Sequence, residues 1–226
     1  MSSAPMREED RKPIGLLGGT FDPIHYGHLR LAEEARVRLG LQRVCLIPAG
    51  RPAHRSAPQA PAADRLAMAR LAAQGNPAFE VIALEAESPQ PSYTVPTLER
   101  LRERFGAARP LVLLVGADAF LGLASWHRWR ELFDLAHLAV ATRPGHDLDA
   151  AALPALLAGE LERRQARDAG ELAAVPAGRI LPFSITALDI SATAIRRMLA
   201  QGDSIRYLLP DAALDYIDRN HLYQAS

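Results

Sequence analysis

The strongest constraint on the fold is a regular alternation of short apolar runs with amphipathic helical segments. After the first run, IGLLGG, three apolar residues recur at helical spacing, Leu31, Ala35 and Leu39, with Glu34 and Arg38 as an i, i+4 charge pair. Later apolar runs read RVCLIP, FEVIAL, PLVLLVG, AHLAVAT and RILPF. Strand followed by helix, repeated, predicts an α/β fold: a Rossmann-like, doubly wound parallel sheet with a C-terminal helical extension.

Capping residues predict where several helices begin. Asp64 is a candidate N-cap for ADRLAMARLAAQG, and Thr94 is one for TVPTLERLRERFG, where Pro96 falls in the first turn. Ser191 is a candidate N-cap for ATAIRRMLAQG, and DAALDYIDRN forms the last helix. The Ala-rich stretch 149–175 is predicted to be helical, and the sequence assigns it no role.

Length and composition set the class of protein. The 226 residues suit one domain, 13–226, preceded by a flexible tail, 1–12. Lys plus Arg and Asp plus Glu are both 26, which argues against a nucleic-acid partner. No apolar run is long enough to span a membrane, and the first residues lack the apolar core of a secretory signal. Cys45, the single cysteine, lies in an apolar run and is expected to be buried and inert. We therefore expect a cytoplasmic protein without a membrane partner.

The segment GGTFDPIHYGH, residues 18–28, joins the first predicted strand to the first helix. Glycines allow backbone N–H groups to approach a ligand, and a helix N-terminus attracts phosphate. His25 and His28 add imidazole donors that can bind phosphoryl oxygens. Two surface histidines are the commoner meaning of such spacing, and no nearby Cys or acidic residue completes a zinc site. The segment matches neither the Walker loop nor G-x-G-x-x-G.

Polar side chains also follow other predicted strands. In an open α/β sheet, the carboxyl ends of the strands meet at one edge, where ligands bind. Each group alone has an ordinary explanation, such as a capped helix, a solvated basic loop or a core tryptophan. Their shared placement favours one site over these separate explanations. The side chains are Ser191, Thr193 and Arg196, the loop residues His54 and Arg55, and Asp118, Trp126 and Arg143.

These motifs carry a resemblance to a known family. GGTFDPIHYGH with ISATAIR resembles the nucleotidyltransferases that contain His-x-Gly-His and an ISSTxIR-like motif. The segments PSYTV, GADAFLGLASWHRW and TRPG narrow the resemblance to the bacterial nicotinate-nucleotide adenylyltransferases, over residues 13–223. The resemblance implies transfer of the adenylyl group of ATP to nicotinate mononucleotide in NAD biosynthesis, giving deamido-NAD and pyrophosphate. It implies direct in-line attack, without a covalent intermediate.

The resemblance also implies residue roles. Catalysis is assigned to His25, His28 and Arg196. ATP binding is assigned to Gly18, Gly19, Thr20, Phe21, Gly27, Ser191 and Thr193. Mononucleotide binding is assigned to His54, Arg55, Tyr93, Thr94, Asp118, Trp126 and Arg143, with Trp126 stacked on the nicotinate ring. Mg²⁺ is expected to be held mainly by the ATP phosphates, and no protein metal site is predicted.

The chain departs from the family pattern at three places, and several alternatives stay open. Residues 52–55 read Pro-Ala-His-Arg where the family usually has Pro-Pro-His-Lys, Ala49-Gly50 replaces a common asparagine, and Pro96 replaces an acidic residue. Nicotinamide mononucleotide and phosphopantetheine are alternative acceptors. A class I aminoacyl-tRNA synthetase lacks support, because no KMSKS-like motif is present, and a non-catalytic nucleotide-binding regulator would not need both histidines. The sequence leaves open the metal preference, the acid-to-amide selectivity and the oligomeric state, a homo-oligomer included.

Overall fold

The structure, a computed structural model, describes residues 12–53, 57–143, 148 and 153–224. In these ranges a six-stranded parallel sheet has the order β4-β2-β1-β6-β7-β8, and β3 pairs with β5 in a small second sheet. The strands are β1 (Ile14–Gly19), β2 (Arg43–Pro48), β3 (Arg51–Pro52), β4 (Phe79–Val81), β5 (Pro91–Ser92), β6 (Leu111–Gly116), β7 (His137–Thr142) and β8 (Ile180–Ser184). The predicted α/β class is therefore confirmed.

The order of the main sheet shows where a ligand site belongs. Numbered along the chain, its six strands run 3-2-1-4-5-6, which is the doubly wound order of dinucleotide-binding folds. The order reverses between β1 and β6, so their carboxyl ends open a crevice there. The segment GGTFDPIHYGH begins in β1 and lies at this crevice.

Helices cover both faces of the sheet. They are α1 (Tyr26–Arg38), α2 (Ala62–Ala73), α3 (Thr94–Phe105), α4 (Ala117–Leu121), α5 (Leu132–Leu135), α6 (Ala155–Arg164), α7 (Gly170–Ala174), α8 (Ala192–Gln201) and α9 (Asp211–Arg219). Successive strand residues point to opposite faces, so Leu17 packs with α1, α2, α8 and α9, whereas Leu16 packs with α3 to α6. Both faces bury apolar side chains, as a parallel sheet requires.

Of the three predicted N-caps, one is confirmed and two are wrong. Ser191 is the N-cap of α8, and its Oγ accepts the backbone N–H of Ala194 at 3.2 Å. Asp64 does not cap α2, because that helix begins earlier, after Pro61. The Asp64 carboxylate instead accepts the hydroxyl of Tyr216 from α9 at 2.9 Å. Thr94 is the first residue of α3, and its N-cap is Tyr93.

Other sequence predictions have mixed outcomes. The FEVIAL run forms a strand only over β4, and α1 begins at Tyr26, inside the GGTFDPIHYGH segment. Within the stretch 149–175, the two described helices are α6 and α7, which are joined by a short non-helical segment. Cys45 is buried, and burial raises the pKa of its thiol to about 12. Residues 1–11 of the predicted tail lie outside the described residues. No described helix is both long and apolar enough to cross a membrane.

Candidate functional site

The turn after β1 is shaped by two glycines and a strained phenylalanine. Gly18 is exposed, and a Cβ added there would meet no atom within 4 Å. A Cβ on Gly19 would lie 2.8 Å from the Phe21 ring, so this glycine makes room for that ring. Phe21 is buried and has a φ of +50°, a left-handed conformation that costs free energy for a bulky residue. The turn is therefore unobstructed at Gly18, whereas the buried Phe21 ring packs against Gly19.

The two predicted histidines lie together at the start of α1. Their rings stack with centroids 3.8 Å apart and an angle of 28° between planes. His25 is only 6% exposed, and burial lowers its pKa to about 4. Its buried Nδ1 has no hydrogen-bond partner among the described residues. His25 is therefore a neutral imidazole at pH 7.

A backbone contact assigns the tautomer of His28. The N–H of His25 donates to His28 Nδ1 at 3.3 Å. Because Nδ1 acts as acceptor, the ring proton of a neutral His28 is on Nε2. The edge contact with Phe21, at 5.0 Å between centroids and 88°, fixes the plane of the ring. His28 is half-buried and can present Nε2–H to a phosphoryl oxygen.

The start of α8 lies beside the start of α1. A Cβ on Gly27 would lie 3.0 Å from the His25 ring and 3.4 Å from the carbonyl oxygen of Ile190, the residue before Ser191. Glu34, a buried carboxylate of α1, accepts the N–H of Thr186 at 3.0 Å and thereby holds the segment that enters α8. Two helix N-termini, separated by more than 160 residues in sequence, therefore open on one crevice.

Asp22 joins these two helix starts, and sequence reasoning missed it. Its carboxylate accepts the N–H groups of Gln59 and Ala60 at 2.8 and 3.1 Å, and the hydroxyl of Tyr223 at 2.8 Å. Arg196 Nη1 donates to the Asp22 carbonyl at 2.7 Å and lies 3.7 Å from its carboxylate. The only local signal for Asp22 was its place in the glycine-rich motif.

We call the turn 18–25, the start of α1 and the start of α8 the phosphate half. The structure brings nine of the predicted residues into it, namely Gly18, Gly19, Thr20, Phe21, His25, Gly27, His28, Ser191 and Arg196. Thr193 joins them through its Oγ1, which accepts from Arg196 Nη2 at 3.5 Å.

We call Tyr93, Thr94, Asp118, Trp126 and Arg143 the acceptor half. Tyr93 and Thr94 follow β5 of the small second sheet. The other three follow β6 or β7 in the chain, and those two strands end at the same edge of the main sheet as the turn after β1. Asp118 and Arg143 are exposed, and the other three are half-buried. The centroids of the Tyr93 and His127 rings lie 4.7 Å apart, and His127 follows Trp126 in the sequence. Among the described residues, Asp118, Trp126 and Arg143 make no side-chain hydrogen bond or ion pair with one another. His54 and Arg55 lie outside the described residues.

The described part of the chain groups no three His, Cys, Asp or Glu side chains in a way that could hold a metal ion. Asp22 is the one buried acidic residue of the phosphate half, and its oxygens are already occupied by two amide groups and a hydroxyl. The crevice therefore offers donors for anionic groups, from the imidazoles of His25 and His28, from two helix N-termini and from the guanidinium of Arg196.

Comparison with known proteins identifies the family of the chain. The family described as Cytidylyltransferase-like matches residues 16–198. The chain is 55% identical over 215 residues to a Dechloromonas aromatica protein named "Probable nicotinate-nucleotide adenylyltransferase", covering 95% of this chain and 99% of that protein. An Acidithiobacillus ferrooxidans protein of the same name is 48% identical over 223 residues, covering 97% of this chain and 100% of its own.

A solved structure shares the fold. Plasmodium falciparum nicotinic acid mononucleotide adenylyltransferase, complexed with NaAD, superposes with a TM-score of 0.70 and covers 94% of this chain and 97% of its own. The sequence identity is 17%, so this likeness concerns the fold alone.

Proposed function

Because the chain belongs to the nicotinate-nucleotide adenylyltransferases, within the Cytidylyltransferase-like family, we propose that it transfers the adenylyl group of ATP to nicotinate mononucleotide. The products are deamido-NAD and pyrophosphate, and the reaction belongs to NAD biosynthesis. The observation that carries the proposal is the pairing of two helix N-termini, bearing His25, His28 and Arg196, at the switch point of the sheet. Such a pairing suits a polyphosphate better than a single phosphate.

In the proposed mechanism, the acceptor phosphate attacks the α-phosphorus of ATP in line and pyrophosphate leaves. The attacking oxygen is already anionic, so no general base is required. His28 Nε2–H and the neutral His25 donate to phosphoryl oxygens as charge builds on them. Arg196 and the N-terminus of α8, capped by Ser191, bind the triphosphate from the other side. Catalysis then consists of alignment and charge stabilisation.

The acceptor half supplies recognition in this proposal. Trp126 stacks on the nicotinate ring, and the backbone at Tyr93 and Thr94 meets its carboxylate. Asp118 and Arg143 hold the rest of the mononucleotide, together with His54 and Arg55. Trp126 is half-buried, so part of its indole ring is accessible to an aromatic ligand, which supports this role.

Adenylyl transfer uses a divalent cation, and we propose Mg²⁺. The donors described in the crevice fit a cation that arrives on ATP, because Asp22 is already bonded and the described residues form no ligand cluster that competes for it. When bound, the cation neutralises charge on the phosphate oxygens. The protein residues then need only bind and orient the remaining oxygens.

The test is a pyrophosphate-release assay with ATP and one acceptor at a time. We expect release with nicotinate mononucleotide, and less with nicotinamide mononucleotide. Release only when phosphopantetheine is offered, or release with none of the three acceptors, contradicts the proposal. Omitting the metal, then adding Mg²⁺ or Mn²⁺, tests the cation.

A further inference from the structure

One buried cation has no part in the proposed chemistry. Arg65 lies in the first turn of α2, is 1% exposed, and is the largest fully buried side chain in the described part of the molecule. A buried guanidinium is tolerated only where its N–H groups find acceptors. The groups that accept from Arg65 therefore show what it holds in place.

Within the described ranges, every group that accepts a hydrogen bond from Arg65 is a backbone carbonyl. Nη1 donates to Thr20 at 2.6 Å and also to Ala49, Nη2 donates to Gly50 at 2.9 Å, and Nε donates to Ala60 at 3.1 Å. Thr20 belongs to the turn of the phosphate half. Ala49, Gly50 and Ala60 form the two ends of the connection between β2 and α2. One planar guanidinium thus ties the phosphate turn to both ends of that connection.

The peptide unit between Ala49 and Gly50 is gripped on both edges. In a trans peptide the carbonyl and the following N–H point in opposite directions. The Ala49 carbonyl faces Arg65, and the Gly50 N–H donates to Ser92 Oγ at 3.0 Å. A Cβ on Gly50 would lie 2.2 Å from the Glu85 carbonyl oxygen, so this peptide unit lies close against the Glu85 backbone and no side chain fits at position 50. Ser92 is the last residue of β5, the strand that pairs with β3. Tyr93 of the acceptor half follows it directly in the sequence.

From this continuous chain of contacts, and resting on the proposed function, we propose that Arg65 is a positioning residue for the reaction. It fixes the separation between the phosphate turn at Thr20 and the acceptor segment at Ser92 and Tyr93. In-line transfer is sensitive to this separation, because a misplacement of about 1 Å costs about 10²-fold in rate. Lysine cannot replace it, since one ammonium on a flexible stem cannot hold four carbonyl groups in two loops.

The chain offers a matched control. Arg102 of α3 also donates to backbone carbonyl groups, those of Leu135 at 2.7 Å, Pro176 at 2.8 Å and Arg109. These residues precede β7, β8 and β6, at the edge of the sheet opposite the candidate site. Burial lowers the pKa of both arginines, and both donate to carbonyl groups of several segments, although Arg102 is half-buried and Arg65 is fully buried. A purely structural role predicts similar consequences for both.

The experiment compares Arg65→Lys with Arg102→Lys by thermal unfolding, by ATP binding in calorimetry, and by kcat and KM for both substrates well below the lowest Tm. We expect both variants to have a lower Tm. Arg65→Lys is expected to lower kcat by about 10²-fold, the scale of a small misplacement. Arg102→Lys is expected to keep kcat within about twofold, because distant sites act independently.

Ser92→Ala tests the other edge of the same peptide unit. We expect kcat to fall by about fivefold, the equivalent of one neutral hydrogen bond.

A wild-type kcat in Arg65→Lys, or an equal loss in Arg102→Lys, overturns the proposal. If Arg65→Lys does not fold, a wild-type kcat in Ser92→Ala overturns it. If the wild-type protein releases no pyrophosphate with any acceptor, the proposed function fails. In that case the affinity for ATP still tests the link between Arg65 and the phosphate turn. We expect Arg65→Lys to bind ATP more weakly and Arg102→Lys to bind it as the wild type does. Equal ATP affinities in the two variants overturn the link.

Discussion

The two halves of the candidate site are built in opposite ways. In the phosphate half, Phe21, Asp22 and His25 are all nearly inaccessible to solvent, and each side chain is fixed by rings, amides or a guanidinium. In the acceptor half, Asp118 and Arg143 are exposed. Charge that develops on a phosphoryl group is best stabilised by donors that do not reorganise. An entering mononucleotide needs an accessible surface instead. This difference supports the proposed division, in which the phosphate half sets the rate and the acceptor half recognises the mononucleotide.

The largest expected difference between the halves is in stability. Asp22→Ala removes the acceptor of two amides and a tyrosine and leaves Arg196 without its carboxylate. We expect the free energy of unfolding to fall by about 3–5 kcal/mol, the usual loss when a buried charged partner is removed. Asp118→Ala, the matched carboxylate of the acceptor half, should change it by less than about 0.5 kcal/mol. Urea unfolding of both variants measures this. Equal losses would show that the halves do not differ in rigidity.

The next effect concerns rate. His28→Ala removes the Nε2–H donor, and we expect kcat to fall by about 10²-fold or more, the scale for one oxyanion donor. His127→Ala removes an exposed histidine that contacts Tyr93 of the acceptor half, and we expect less than about a threefold change in kcat, since it removes no phosphoryl donor. Steady-state kinetics with both substrates saturating, on variants with an unchanged Tm, provides the comparison. Near-normal turnover in His28→Ala would remove this residue from the mechanism.

The parts of these halves that could be predicted from sequence depend on local signals. Strand alternation, the glycine turn and the Ser191 cap are each written within a few neighbouring residues. The contacts of Arg65 with Thr20 and of Tyr223 with Asp22 join residues 45 and 201 positions apart, and no spacing rule reaches so far. One signal was available for Arg65. It lies three and four residues from the buried Met68 and Ala69, so a charge occupied the apolar face of α2.

The same distance limit explains the error at α2. An aspartate near the start of a helix is usually a cap, because it accepts backbone N–H groups of the first turn. Here the carboxylate of Asp64 is taken by Tyr216, a residue 152 positions later. A partner from another element thus displaced the local preference, and only the three-dimensional structure shows it.

Burial of the phosphate half also predicts a pH dependence of stability. His25 has a folded pKa of about 4 against 6.5 for the free side chain. Below pH 6.5 the unfolded chain binds a proton that the folded chain refuses, so stability falls as the pH drops from 6.5 towards 4. Between pH 7.5 and pH 5 we expect a loss of about 2 kcal/mol that His25→Gln lacks. Urea unfolding across this range measures the difference. His137, whose pKa burial also lowers, acts equally in both proteins and cancels. Parallel curves for wild type and variant would mean that His25 is not kept neutral.

The smallest effect should come from the acceptor half, and it should appear in KM. Trp126 is half-buried and packs partly on the core, so its ring is already oriented when a ligand arrives. Trp126→Ala removes a stacking surface used equally in the ground state and the transition state, which raises KM and leaves kcat unchanged. We expect KM for nicotinate mononucleotide to rise about tenfold, the equivalent of one aromatic stack, with KM for ATP unaffected. Trp126→Phe keeps an aromatic face and should recover most of the affinity. A fall in kcat at constant KM would instead place Trp126 with the histidines, and the division of the site into a rate half and a recognition half would be wrong.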